Sequence, residues 1–332
     1  MVKLEIEEFN NGFVLKYRDK EYFIEGIKDV TIDHNEVKKI ADILGCGPGE
    51  VLEAMHKILD QFLMKIDVVD LLTDIRRATV KHDDNMIKNV LFTCISTYTS
   101  MPLTLTVIAP TSEGKSYTVI ETSKFFPKDS IYALIGATPK SFFYDKAILV
   151  DKDNLYPIED QLKELEKALR EASSKEEKIE IKEKIRNILE NSVPLVDLEN
   201  KILIFLDNPA TETIQALWPL LSHDKYITQY KYVDKSKSGR LKSSTIYLRG
   251  WPAAIFISVK GENKEENYSQ TMSRAILTAP TMSKEKYREA IKLACLKQGL
   301  PSIVFRKRLG LDREILGQTI ILKIRDKLLE IR

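Results

Sequence analysis

The chain has 332 residues, of which 43% are hydrophobic and 30% charged, with a formal net charge of +2. That length supplies the core of one large or two ordinary domains, and the composition excludes a disordered, collagenous or disulfide-stapled chain. The near-balanced charge identifies no partner by itself, so its distribution along the chain carries the information.

Residues 13–17 and 22–24 flank a turn at Arg18–Glu21 and predict a β-hairpin. Asp33 is placed to cap a helix over 34–44, which Gly45-Cys-Gly-Pro-Gly49 breaks. Val51, Leu52, Met55, Ile58, Leu59 and Phe62 then predict a second helix, 50–64. Two helices joined by a Gly-rich turn resemble a helix-turn-helix, but the segment is not basic, and a packing helical pair is the plainer reading. Helices over 67–78 and 84–98 lead to an apolar, β-branched run, Leu103–Ile108, which reads as a buried strand.

That strand runs into Ala109-Pro-Thr-Ser-Glu-Gly-Lys-Ser116 and then a helix over 115–125. The pattern A-x-x-x-x-G-K-S between a strand and a helix is a phosphate-binding loop with Ala in place of its first Gly. Successive backbone N–H groups of such a loop wrap a phosphate, and the following helix presents its positive end to it. Ala109, Pro110, Thr111, Ser112, Glu113, Gly114, Lys115, Ser116 and Tyr117 are therefore the predicted nucleotide site. Gly114 permits close backbone approach, Lys115 is expected at the β- and γ-phosphates, and the Ser116 hydroxyl is expected on Mg²⁺. An ordinary φ at the strand end tolerates the methyl of Ala109.

Residues 130–136 predict a second strand, 141–145 a short helix and 147–150 another apolar piece. Over 157–192, apolar residues at helical spacing in a field of Lys and Glu predict a helical hairpin turning at Ser173-Ser174. Lys201-Ile-Leu-Ile-Phe-Leu-Asp207 reads as a strand buried on both faces that delivers a carboxylate at its end, suited to the Mg²⁺ water shell beside Ser116. Lys225, Lys231, Lys235, Lys237, Arg240, Lys242 and Arg249 follow with Asp234 as the one acid in their span, and Tyr226, Tyr230, Tyr232 and Tyr247 interleave. This is a β-hairpin with a basic tip, fit to track single-stranded nucleic acid through Lys231, Lys235, Lys237, Arg240 and Lys242. Trp251–Ser258 reads as a further buried strand, 275–277 as a short apolar piece, and the residues from Ser283 as a basic helical region, a small winged or helical lid.

Cys46, Cys94 and Cys295 are far apart and form no C-x-x-C pair, and the four histidines (34, 56, 82, 223) do not cluster. Reduced thiols in a cytoplasmic setting are expected, with no zinc site. The N-terminal residues are too charged for a signal peptide, and no apolar run reaches membrane-spanning length.

In order along the chain, Ala-Pro-Thr-Ser-Glu-Gly-Lys-Ser, Phe-Leu-Asp-Asn-Pro, Leu-Leu-Ser-His-Asp-Lys, the basic hairpin, Arg-Gly-Trp-Pro-Ala-Ala-Ile-Phe-Ile-Ser and Ser-Arg-Ala resemble a known module. It is the helicase-type ATPase module of plasmid, viral and mobile-element replication proteins, of the additional-strand P-loop class akin to AAA+ and superfamily-3 helicases. The resemblance covers about residues 85–290. It implies an α/β P-loop NTPase core, a central mainly parallel sheet flanked by helices, over 85–282. The helical insertion 157–192 lies within the core. A β-hairpin and helical region, 1–84, precedes it, and a helical C-terminal region, 283–332, follows. It implies Mg-ATP hydrolysis with Lys115 and Asp207 as catalytic residues, Ser116 and Asp207 on Mg²⁺, Ser258 as a polar sensor of the γ-phosphate or attacking water, and Arg274 as an arginine acting on ATP, in a neighbouring subunit of a hexameric ring. The partner it implies is DNA, in single-stranded form.

One departure stands out. Motor ATPases usually follow the Asp with a Glu that activates water, whereas Asn208 follows Asp207 here. Asn orients water but cannot take a proton. Either Asp207 has the base role, or Glu212 supplies it, or hydrolysis is slow. An initiator or loader gated by nucleotide is therefore the alternative to a motor, while a small-molecule kinase has no use for the basic hairpin.

Overall fold

The computed structural model describes residues 3–9, 12–134, 139–234, 242–259, 274–310 and 313–332. In chain order its first elements are β1 (Glu5–Phe9), β2 (Gly12–Tyr17), β3 (Lys20–Ile24), α1 (His34–Leu44), α2 (Pro48–Leu63), α3 (Val68–Arg76) and α4 (Asp84–Ser96). Next come β4 (Thr104–Ala109), α5 (Lys115–Ser123), β5 (Ile131–Leu134), α6 (Pro139–Lys146), β6 (Ile148–Asp151), α7 (Glu159–Glu171) and α8 (Lys175–Glu190). β7 (Ser192–Asp197), β8 (Ile202–Phe205), α9 (Thr211–Leu221), β9 (Ile227–Asp234), β10 (Lys242–Arg249), β11 (Ala253–Val259) and β12 (Ile276–Thr278) follow. α10 (Lys284–Gly299), α11 (Ser302–Arg308) and α12 (Arg313–Ile331) close the chain. Two units emerge, each assembled from separated stretches: Met1–Ile95 with Glu113–Lys128 and Pro280–Arg332, and Ser96–Ser112 with Asp129–Ala279.

In the first unit, β1, β2 and β3 form an antiparallel sheet in that order. β2–β3 is the hairpin expected from the sequence, with Tyr17 opposite Lys20. The Asp33 carboxylate accepts from the N–H groups of Asn35 and Glu36 at 3.0 and 3.2 Å and so starts α1. Gly45 takes φ 76° and donates its N–H to the Ala41 carbonyl, which ends the helix. Pro48 then opens α2, where its missing N–H costs nothing. Val37, Ile40, Met55, Ile58 and Leu59 are buried, and Phe62 meets Phe13 of β2 edge-on at 5.0 Å. Each such side chain contributes roughly 1.5–3 kcal/mol on burial. This packing makes α1 and α2 a structural pair.

Farther along the same unit, Arg76 at the end of α3 reaches Glu121 of α5 and Glu314 of α12, each at 3.4 Å, and its guanidinium lies 4.0 Å from the centroid of the Phe125 ring. Gly317 of α12 lies against that ring so closely that a Cβ there would stand 2.4 Å from it. The helix α5 is thus held from two sides.

The second unit contains two sheets. The larger is five parallel strands in the order β12-β4-β11-β8-β5. The smaller runs β6-β7-β10-β9, with β7 and β10 parallel and the other pairs antiparallel. Leu203, Phe205 and Phe256 of the first sheet, Val196, Ile246 and Leu248 of the second, and Ile214, Leu217 and Leu220 of α9 share one buried cluster. The protein is therefore a mixed α/β chain with a parallel five-stranded sheet. The helical hairpin falls where expected, as α7 and α8, with the Ser174 hydroxyl accepting from the Glu177 N–H at 3.0 Å.

Candidate functional site

Parallel strands end on a common edge, and the loops that leave that edge are where open α/β sheets bind ligands. Here β4 ends at Ala109, β8 leads through Leu206 to Asp207, and β11 carries Ser258, which pairs in register with Ile108. Phe256 pairs with Phe205, so Ser258 and Asp207 each stand two residues beyond a paired position. The two rings stack 4.6 Å apart with planes 2° from parallel, just inside the edge. Ser258 is 1% exposed and shares a strand face with Phe256. Asp207 is exposed and takes part in no salt bridge among the described residues. Ala109, Asp207 and Ser258, far apart in sequence, are thereby brought to one edge. Asn208 and Glu212, the latter in the first turn of α9, are both exposed.

After β4 the chain makes the loop 110–114 and enters α5. Ser112 and Gly114 take φ of 66° and 80°, the left-handed region in which a loop turns its N–H groups inward. No side chain caps α5, and its first turn contains no acid, so its N-terminal N–H groups and positive dipole end are not met by a carboxylate of their own helix. Lys115 is its first residue and is 7% exposed; Ser116, half-buried, is its second. Tyr117 donates its hydroxyl to the Thr79 carbonyl at 3.2 Å, and burial, with Glu121 second, pushes its phenol up to about 12.

Sequence reasoning missed what stands behind this loop. The Asp83 carboxylate, fully buried, pairs with Lys286 Nζ at 2.6 Å and accepts from the Thr281 N–H at 2.7 Å and the Thr118 hydroxyl at 3.2 Å. Lys286 Nζ also donates to the Glu113 carbonyl at 3.2 Å, while the Tyr287 hydroxyl donates to the Glu113 carboxylate at 2.6 Å. Beside these groups lies a cavity of ≈ 360 Å³ lined by Val80, Tyr117, Ala290 and Leu293, with Gly114 and Thr118 on one wall and Lys81 and Lys297 also in its lining. An apolar cleft of that size with a few fixed polar groups is the form that small-ligand sites take. Asp83, Lys286 and Tyr287 lay among many isolated charges and aromatics and had no motif to mark them.

The basic hairpin is present as β9 and β10, paired from Ile227 opposite Arg249 to Asp234 opposite Lys242. Lys231 is exposed on β9, Lys242 opens β10, and Lys235, Lys237 and Arg240 lie outside the described residues. Of the interleaved tyrosines, Tyr230 packs on Phe143 at 5.0 Å, and Tyr226 meets Trp251 edge-on at 5.5 Å. Arg274 is exposed, its guanidinium 5.7 Å from the centroid of the Trp218 ring of α9.

No group of three or more His, Cys, Asp or Glu side chains suited to a metal occurs among the described residues. Nor is any described helix long and apolar enough to cross a membrane. No protein-family model matches this chain, and no curated protein matches it.

Proposed function

We propose that this chain is an ATP-hydrolysing DNA helicase or translocase of the additional-strand P-loop class, acting as a hexameric ring in replication of viral or mobile-element DNA. The observation that carries the reading is the position of β11 between β4 and β8. That extra strand stands between the strand leading to the phosphate-binding loop and the strand leading to Asp207, the arrangement for which the class is named. It leaves Ser258 between Ala109 and Asp207 on the carboxyl edge.

In this reading Ala109–Tyr117 bind ATP, and the apolar cavity beside Gly114 and Thr118 receives the base and sugar. Lys115 neutralises the β- and γ-phosphates. The Ser116 hydroxyl and the Asp207 carboxylate are hard oxygen donors suited to Mg²⁺, which takes one or two carboxylates and completes its shell with water and phosphate oxygens. Ser258 senses the γ-phosphate or the attacking water, and Arg274 serves the nucleotide of a neighbouring copy. Coupling to DNA runs through α9. It begins shortly after Asp207, and its Ile214, Leu217 and Leu220 share a buried cluster with Ile246 and Leu248 of the hairpin.

The test is ATP turnover by the full chain with and without single-stranded DNA. A motor turns over faster with DNA. Turnover indifferent to DNA favours the second reading, a nucleotide-gated initiator or loader, which the exposed Asn208 in place of a carboxylate supports. Failure to bind nucleotide sinks both.

Reversing Lys235, Lys237 and Arg240 to Glu is expected to weaken binding of single-stranded DNA. It should also flatten the plot of log affinity against log salt by about 2, since each phosphate no longer neutralised by a cation takes about 0.7 from the slope. An unchanged slope would move the DNA-binding surface elsewhere, to the Arg306-Lys-Arg308 region among others.

A further inference from the structure

Resting on the nucleotide reading of this loop, we infer that Lys286 and Tyr287, in the first turn of α10, are positioning residues that set the phosphate cradle through Glu113. They grip one loop residue at two points: Lys286 Nζ takes its carbonyl at 3.2 Å and the Tyr287 hydroxyl takes its carboxylate at 2.6 Å. The grip is anchored, because Lys286 is itself held by Asp83 at 2.6 Å and α10 is started by the Ser283 hydroxyl accepting from the Lys286 N–H at 3.1 Å.

The consequence follows from peptide geometry. In a trans peptide the carbonyl and the next N–H point in opposite directions. With the Glu113 carbonyl drawn toward Lys286, the Gly114 N–H is turned away from Lys286. Gly114 at φ 80° continues that turn into α5. An N–H fixed before the ligand arrives costs no reorganisation on binding, which is how a cradle gains affinity for phosphate. The charge on Lys286 also lies close to the loop, its Nζ 3.9 Å from where a Cβ on Gly114 would stand. The anchor is a buried pair, so losing one partner alone would strand a charge.

The experiment measures binding of ATP and of AMP, which lacks the β- and γ-phosphates, to the full chain. The variants are Asp83→Asn with Lys286→Met, which removes both charges together, Lys286→Arg and Tyr287→Phe. Thermal melting checks folding. The expected result is ATP affinity about tenfold or more lower in the double variant, the worth of one charge-assisted hydrogen bond, with AMP affinity nearly unchanged. Lys286→Arg, which keeps the charge, retains most of the wild-type ATP affinity. Tyr287 is partly exposed, so Tyr287→Phe keeps the test decisive if the double variant does not fold. There, about a threefold loss for ATP alone is expected. Unchanged ATP affinity in the folded variants, or equal losses for ATP and AMP, overturns the positioning role while leaving the nucleotide site standing. A wild-type chain that binds neither nucleotide overturns the site and this inference with it.

Discussion

Lys115→Ala is expected to abolish DNA-stimulated ATP turnover, with kcat lowered by about a hundredfold or more. Three observations set the scale. Lys115 is the first residue of α5, it is 7% exposed, and it follows a loop whose backbone takes left-handed φ at Ser112 and Gly114. A cation in so dry a place acts on phosphate charge with little solvent screening. In phosphoryl transfer, where catalysis is almost wholly positioning and charge neutralisation, such a cation matters most in the transition state. The variant must melt cooperatively like the wild type for the loss to be read as chemistry. Retained DNA-stimulated turnover in a folded Lys115→Ala chain would remove this loop from the catalytic site. The companion change Asn208→Glu asks a different question, whether a missing base limits the rate, and so does not substitute for it.

The elements of the candidate site were legible because they are local. A β-branched run, a Gly-Lys-Ser turn and a helix follow one another within twenty residues or so, and the strand before Asp207 announces itself by continuous apolar residues that need burial on both faces. The order of the strands was not legible in that way. It came into view only as register, Ser258 beside Ile108 and Phe256 beside Phe205. β7 was missed for a definite reason: Pro194 lies inside it, opposite Leu149, and a proline inside an apolar run argues against a sheet interior. Yet β7 is flanked by β6 and β10, and without it the basic hairpin and the apolar piece at 147–150 gave no sign of sharing one sheet. The clamp of Asp83, Lys286 and Tyr287 on Glu113 was illegible for another reason. In a chain with 30% charged residues, a lone Asp and a distant Lys look like solvated surface until folding buries them together. Tyr230, one of the tyrosines interleaved with the basic residues, packs its ring on Phe143, a contact that nothing in its neighbouring sequence marks.

The largest effect on stability is expected from Arg76→Ala, a loss of about 3–5 kcal/mol. Arg76 is 2% exposed, and burial pulls its pKa down while Glu314 and Glu121 push it back up. A guanidinium stays protonated across any working pH, so the fold carries this charge and needs its partners. Removing it leaves the Glu121 carboxylate, itself 9% exposed at its side chain, with Lys124 as its remaining cation, and leaves Glu314 and the face of Phe125 uncovered. The cost comes mainly from those stranded charges, and this yields a sharper expectation. Arg76→Leu combined with Glu121→Gln and Glu314→Gln should be less destabilised than Arg76→Ala alone, because three neutral groups tolerate burial better than a Glu314 carboxylate stripped of this cation beside a Glu121 held by Lys124 without Arg76. Arg76→Lys should fall between, keeping the charge but losing the planar fork and its stacking on Phe125. Urea unfolding midpoints of the four chains decide the matter: if Arg76→Ala costs less than about 1 kcal/mol, the network is a bystander. If the predicted order holds, α3 and α12 hold α5 by charge as well as by packing, and the helix that begins at Lys115 is braced from behind.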